Sequence, residues 1–190
     1  MILEVVYYGN PVLRQRGARI EKITPEIQKL IEDMFDTMKA AKGVGLAAQQ
    51  IGRALQLTLI DVRGVTDRPS TIQLNGKDAD VAAAMPLVLI NPEVKPVGDP
   101  EAGTEGCLSF PEIFGEIKRP GRANVTATNA KGEKFQFTCS GLLARAIQHE
   151  MDHLNGVLFI DRMSRAEKDE LKPQLEEMQA KAKAALKAGK

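Results

Sequence analysis

The sequence predicts an α+β domain built mainly on antiparallel sheet. Three observations point to it. Strand-like runs occupy the early and middle chain, amphipathic helical stripes stand apart from them, and an alternating stretch folds back around a turn near Asn129.

Taken in order, Leu3–Tyr8 reads as a first strand. A helix is expected from about Pro25 to Lys42, with Thr24 as its cap and Pro25 at the first helical position. Ile27, Leu30, Ile31, Met34, Phe35 and Met38 form its apolar stripe, and Gly43 can end it in the left-handed conformation. Leu55–Val62 and Leu87–Val94 read as strands, and Asn124–Cys139 as a hairpin. Gly64–Pro86 is polar and without period, which predicts a long surface loop. A second helix is expected from about Leu142 to Asn155, stopped by Gly156. A third begins at Ser164, where Ser164-Arg165-Ala166-Glu167 has the form of a capping box, and Pro173 is expected to break or kink it.

A chain of 190 residues suffices for one domain with a sizeable core. A formal net charge of +1 gives no reason to expect a nucleic-acid surface, so no specific DNA partner is predicted. Cys107 and Cys139 are the only cysteines, too few for a disulfide framework at this size. No signal-peptide pattern opens the chain, and no apolar run nears the ~20 residues of a membrane span. These points predict a cytoplasmic protein with reduced thiols. Only the C-terminal end departs from charge balance, with Lys181, Lys183, Lys187 and Lys190 following one another without an acidic residue between them.

The strongest chemical signal is His149-Glu150-Met151-Asp152-His153, inside the second predicted helix. Side chains four apart share a helical face, so both imidazoles can point at one ion. Glu150 lies near the same point without having to be a ligand, an arrangement suited to water activation by a metal and a carboxylate base. The alternative is a helix carrying two solvent-facing histidines. These are, however, the only two histidines in the chain.

A catalytic site wants three protein ligands and an open position. Cys107, flanked by Gly103 and Gly106, can supply a thiolate; a small buried hydrophobe is the competing role, and Cys139 fits that role well. Spacing leaves a downstream carboxylate, Asp161, Glu167 or Glu170, open as the third ligand of a zinc peptidase. A third segment, Gly43-Val44-Gly45-Leu46-Ala47-Ala48-Gln49-Gln50-Ile51-Gly52, is either a close-packed strand approach or a substrate-side wall. As a wall, it would offer backbone to an extended peptide and an amide side chain to an oxyanion.

Together, Gly43–Gln50, Glu105-Gly106-Cys107-Leu108-Ser109 and Gln148-His149-Glu150-Met151-Asp152-His153-Leu154 resemble the motifs of peptide deformylase, in the expected order. The resemblance covers roughly residues 1–165, leaving 166–190 as a helical basic tail. It implies antiparallel β-sheets packed around a central helix bearing HExxH, with an N-terminal and a C-terminal helix. It implies removal of the N-formyl group from formyl-methionine on nascent peptides, with Fe2+ as the ion and Zn2+, Ni2+ or Co2+ as substitutes. Carried over, Cys107, His149 and His153 become the ligands, Glu150 the proton carrier, and Gln50 with the Leu108 N–H the oxyanion donors. Val44, Gly45, Gly106, Leu142 and Ala146 would bind substrate, and Arg119 would tie Glu105 to Asp152. Arg145 stands at a helix position that relatives often fill with an apolar residue. The same resemblance implies a ribosome contact through the basic tail. The rival readings are a zinc peptidase and a metal protein without turnover.

Overall fold

The computed structural model describes residues 1–189; Lys190, the last lysine of the predicted tail, lies outside them. Helix α1 spans Pro25–Ala40, and the Thr24 hydroxyl caps it by accepting from the Ile27 N–H. The strands β1 (Gly45–Ala47), β2 (Leu57–Ile60), β3 (Ser70–Leu74) and β4 (Lys77–Ala79) follow, then a single turn of helix, α2 (Val81–Ala84). Two long strands, β5 (Leu87–Cys107) and β6 (Phe110–Thr128), lead to β7 (Lys134–Gly141), α3 (Leu142–Leu154) and α4 (Arg165–Ala188). The strands form one antiparallel sheet in the order β1-β2-β5-β6-β7-β3-β4.

Helix α3 is the centre. It packs against β1, β2, β3, β5, β6 and β7, because Leu142, Leu143, Ala144 and Ile147 bury an apolar side against sheet residues such as Leu89, Val125 and Phe137. The α1 stripe closes a second cluster over Leu57 and Leu59. A third gathers Phe110, Ile117 and Phe159 with Leu175 of α4. Register shifts interrupt the β5–β6 ladder near Asn91, Pro100 and Cys107, and such bulges bend the strands and re-aim side chains.

Four expectations need correction. The left-handed residue after α1 is Lys42, at φ +54, and not Gly43. Leu3–Tyr8 joins no ladder: the Val6 N–H donates to the Gln50 carbonyl, in a short 3-10 helix, and the Tyr8 N–H to that of Ser109, in the turn between β5 and β6. Gly64–Pro86 is not one loop, since it holds β3, β4 and α2. Its one deeply buried strand side chain, Ile72, faces Cys139 of β7, so no period could show. The tail is one helix through Pro173. Asp169, whose carbonyl the proline leaves without its helical donor, is exposed to water, and Leu175 anchors the helix just beyond.

The corrected segment also starts α3. The Leu142 N–H donates to the Pro69 carbonyl and the Leu143 N–H to the Ser70 hydroxyl, so two otherwise orphaned donors of the central helix find partners on the strand next door. Among the described residues no helix is long and apolar enough to cross a membrane.

Candidate active site

His149 and His153 project from the same side of α3, ring centroids 5.1 Å apart. Cys107 arrives at the end of β5, beside the register shift between Gly106 and Cys107. One donor atom from each of the three lies within 4.8 Å of the others. His153 Nε2 is 3.3 Å from Cys107 Sγ, and His149 Nδ1 is 2.9 Å from Glu105 Oε1, which commits that nitrogen and leaves Nε2 for an ion. Two imidazoles and a thiol so gathered fit a divalent metal. The rival carboxylates are spent elsewhere: Asp161 pairs with Arg14, and Glu167 accepts from the Ser164 hydroxyl at its own helix start. Glu170 is exposed on α4.

Burial sets the electrostatics. It pushes the Glu150 carboxyl up to about 7, against the pull of His149 and of the Thr58 hydroxyl 3.5 Å away. Burial also lowers His153, and the neighbouring His149 and Arg119 add to this, so His153 stays neutral, the form that binds metal. For His149 burial is outweighed by the neighbouring Cys107 and Glu105, and its pKa rises. Burial would raise Glu105, but His149 and Arg119 bring it down to about 2.

Beneath this lies an ionic scaffold. Arg119 donates to both Glu105 oxygens, at 2.6 and 2.9 Å, and to Asp152 at 2.9 Å. All three residues are buried, which only such mutual pairing makes tolerable. Arg162 holds Asp152 from the far side at 2.6 and 2.7 Å. Arg119 continues the buried face of β6 after Ile113, Gly115 and Ile117. A cation at an inward strand position is itself a sequence signal for a buried partner.

The centre opens into a cleft of about 520 Å³. Val44, Gly45, Gly106, Leu142 and Ala146 line it, as do Gln50, Leu108 and Glu150. His153 lies behind, and Arg119 with Asp152 flanks a separate hollow on the other side of the helix. Gly45 has to be a glycine: a Cβ there would sit 2.5 Å from Glu150 Oε1. The Gln50 side chain is aimed. Its Oε1 accepts from the Ala47 N–H at 2.9 Å, turning the NH2 toward Ser109 Oγ at 3.3 Å and Cys107 Sγ at 3.4 Å.

Every predicted site residue therefore falls in this cluster or in the scaffold behind it. Patterning did not reveal Thr58, Arg162, or Arg68, which reaches over the rim to donate to the Thr104 carbonyl at 3.1 Å. Their partners lie 10 to 92 residues away, and only the fold supplies them.

The family profile of polypeptide deformylase matches residues 2–169. The peptide deformylase of Methylacidiphilum infernorum is 44% identical over 178 residues, which is 94% of this chain and 93% of that protein. Among solved structures, the peptide deformylase of Synechococcus elongatus in complex with actinonin is 40% identical, with a TM-score of 0.76 over 90% of this chain and 85% of that one. Peptide deformylase 1B of Arabidopsis thaliana, in complex with an inhibitor, is 35% identical, with a TM-score of 0.82 over 96% and 93%. The motifs, the three-donor cluster on the central helix and these similarities agree: the chain belongs to the polypeptide deformylase family.

Proposed function

We propose that this chain hydrolyses the N-formyl group of formyl-methionine on newly made polypeptides, releasing formate, with the residue roles that follow. The observation that carries the reading is the cluster of half-buried Cys107 with buried His149 and His153, opening beside Glu150 into a cleft whose walls include Val44, Leu108, Leu142 and Ala146. Cys107, His149 and His153 would hold the ion, which when bound supplies Lewis-acid activation of water and of the formyl carbonyl. Glu150 takes the proton from the attacking water and returns it to the departing amine, a task for which a carboxyl near 7 is suited. The Gln50 amide and the Leu108 N–H stabilise the developing oxyanion. Val44, Gly45 and Gly106 face the peptide backbone, while Leu142 and Ala146 wall the pocket for the methionine side chain. A formyl carbon carries only hydrogen beyond its carbonyl, so a tight wall at the centre excludes larger acyl groups.

For the ion our reading is ferrous iron. A thiolate with two imidazoles supports it and suits zinc as well, and metal analysis of anaerobically purified protein decides between them. We also propose a cytoplasmic setting, a catalytic domain over 1–165, and a ribosome contact through 166–190. In support of the contact, Lys181, Lys183 and Lys187 are exposed on α4. Cosedimentation with ribosomes that survives their replacement by alanine would remove it.

The central test pairs metal content with formate release from a formyl-Met peptide, for wild type and Cys107→Ser. The expected result is one ion per chain and turnover in the wild type, with both lost in the variant. Cleavage of an unformylated peptide would instead favour a peptidase.

A further inference from the structure

Arg145 stands in the second turn of α3, one turn before His149, with its side chain 11% exposed. Its guanidinium is bound on three sides. One nitrogen, Nη1, donates to Glu105 Oε2 at 2.9 Å and to the Ile117 carbonyl at 2.8 Å; the other, Nη2, donates to the Glu101 carbonyl at 2.7 Å. A single side chain thus joins α3 to both β5 and β6. The group lies over Gly103, where a Cβ would sit 2.7 Å from Cζ and 2.8 Å from Nη2. On β5, Glu101, Gly103 and Glu105 share one face of the strand, which ends at Cys107. The guanidinium therefore holds the strand that delivers Cys107 and the carboxylate that orients His149, from the helix that bears His149 and His153.

We propose that Arg145 is a positioning residue of the metal centre. It clasps β5 and β6 onto α3 and fixes the Glu105 carboxylate, which in turn holds the His149 ring with Nε2 toward the ion. Gly103 is its counterpart, the bare backbone that leaves room for the clasp. The proposal rests on the metal-site reading above. Arg119 already neutralises Glu105, so Arg145 is not required for charge alone. What it adds is direction, because its donors reach two carbonyls and a carboxylate from two nitrogens in a fixed plane, whereas an ammonium is a single freely rotating point charge.

The test loads wild type, Arg145→Ala, Arg145→Lys, Gly103→Ala and the double variant Gly103→Ala/Arg145→Ala with Co2+. It reads the cobalt dissociation constant, the thiolate-to-cobalt absorption band, and kcat and KM for a formyl-Met peptide. Loss of the clasp should weaken cobalt binding about 10- to 100-fold, as removal of groups that orient metal ligands typically does. It should also shift the absorption band and lower kcat with KM little changed. Arg145→Lys should be intermediate. Gly103→Ala adds a methyl in a backbone conformation that alanine accepts, so its only cost is the collision with the guanidinium. It should reproduce the Arg145→Ala phenotype alone and add nothing to it in the double variant.

Unchanged cobalt affinity and spectrum in Arg145→Ala would overturn the proposal. So would an effect confined to KM, which would make Arg145 a substrate contact, or fully additive effects of the two substitutions. If Arg145→Ala does not fold, Gly103→Ala and Arg145→Lys carry the same readouts. A wild type that binds no cobalt and releases no formate would sink the metal-site reading instead, and is thereby distinguished from failure of the clasp.

Discussion

The candidate centre is assembled from two regions by different physics. On α3 the positions of His149, Glu150 and His153 follow from the rise of one helical turn, and they hold wherever the helix forms. On the β5–β6 hairpin nothing local places Cys107. Its position depends on a register shift, on Arg119 bridging Glu105 to Asp152, and on Arg145 spanning both strands. The helix encodes geometry in spacing, whereas the hairpin borrows it from buried ion pairs. Substitutions on the two sides should therefore fail in different ways.

The largest effect is expected on the helix side, and in rate alone. Glu150→Gln should lower kcat about 10²- to 10⁴-fold, the usual range for a general acid–base group. It should keep its metal content and its melting temperature, because the helix does not need the charge; loss of metal would make Glu150 part of the ligand scaffold. Gln50→Ala comes next. It removes an aimed amide donor and should cost about 10²- to 10³-fold in kcat with bound metal unchanged.

On the hairpin side stability and metal should fall together. Arg119→Ala leaves Glu105 and Asp152 buried without their shared partner, which should cost about 3–5 kcal/mol in urea unfolding and weaken metal binding as well. A variant as stable as wild type would mean that Arg145 and Arg162 suffice. Chelation should act on the whole centre, lowering the melting temperature reversibly. The difference is about 4 kcal/mol when the free ion had stood 1,000-fold above its dissociation constant. The smallest effect is Ser70→Ala, which removes one acceptor at the start of α3 and should cost about 1 kcal/mol in the same unfolding assay.

This division also explains what the sequence made legible. The α1 stripe, the C-terminal end of α3, the Asn129 turn and the Ser164 cap rest on neighbours within a few residues, and each is found where spacing put it. The histidine pair belongs to that class. Cys107 was ambiguous on spacing because its surroundings come from elsewhere, and only the resemblance to a family chose it. Arg145 stood out only as a departure from the apolar residue that relatives often carry there, since nothing in its own helix points to Glu101, Ile117 or Glu105. The β3–β4 hairpin carried one readable signal that composition obscured: Asn75-Gly76, both with positive φ, between the paired residues Leu74 and Lys77.

That hairpin has a consequence for rebuilding the molecule. Exposed polar segments are the usual places to splice in foreign sequence, and by composition all of Gly64–Pro86 would qualify. Only its tip does. At Asn75-Gly76 the glycine has open space around it, so an epitope or a reporter domain grafted there should leave catalysis intact. The same graft a few residues earlier, between Pro69 and Thr71, would separate the carbonyl and hydroxyl that meet the first amides of α3. It would unfasten the helix that carries both histidines.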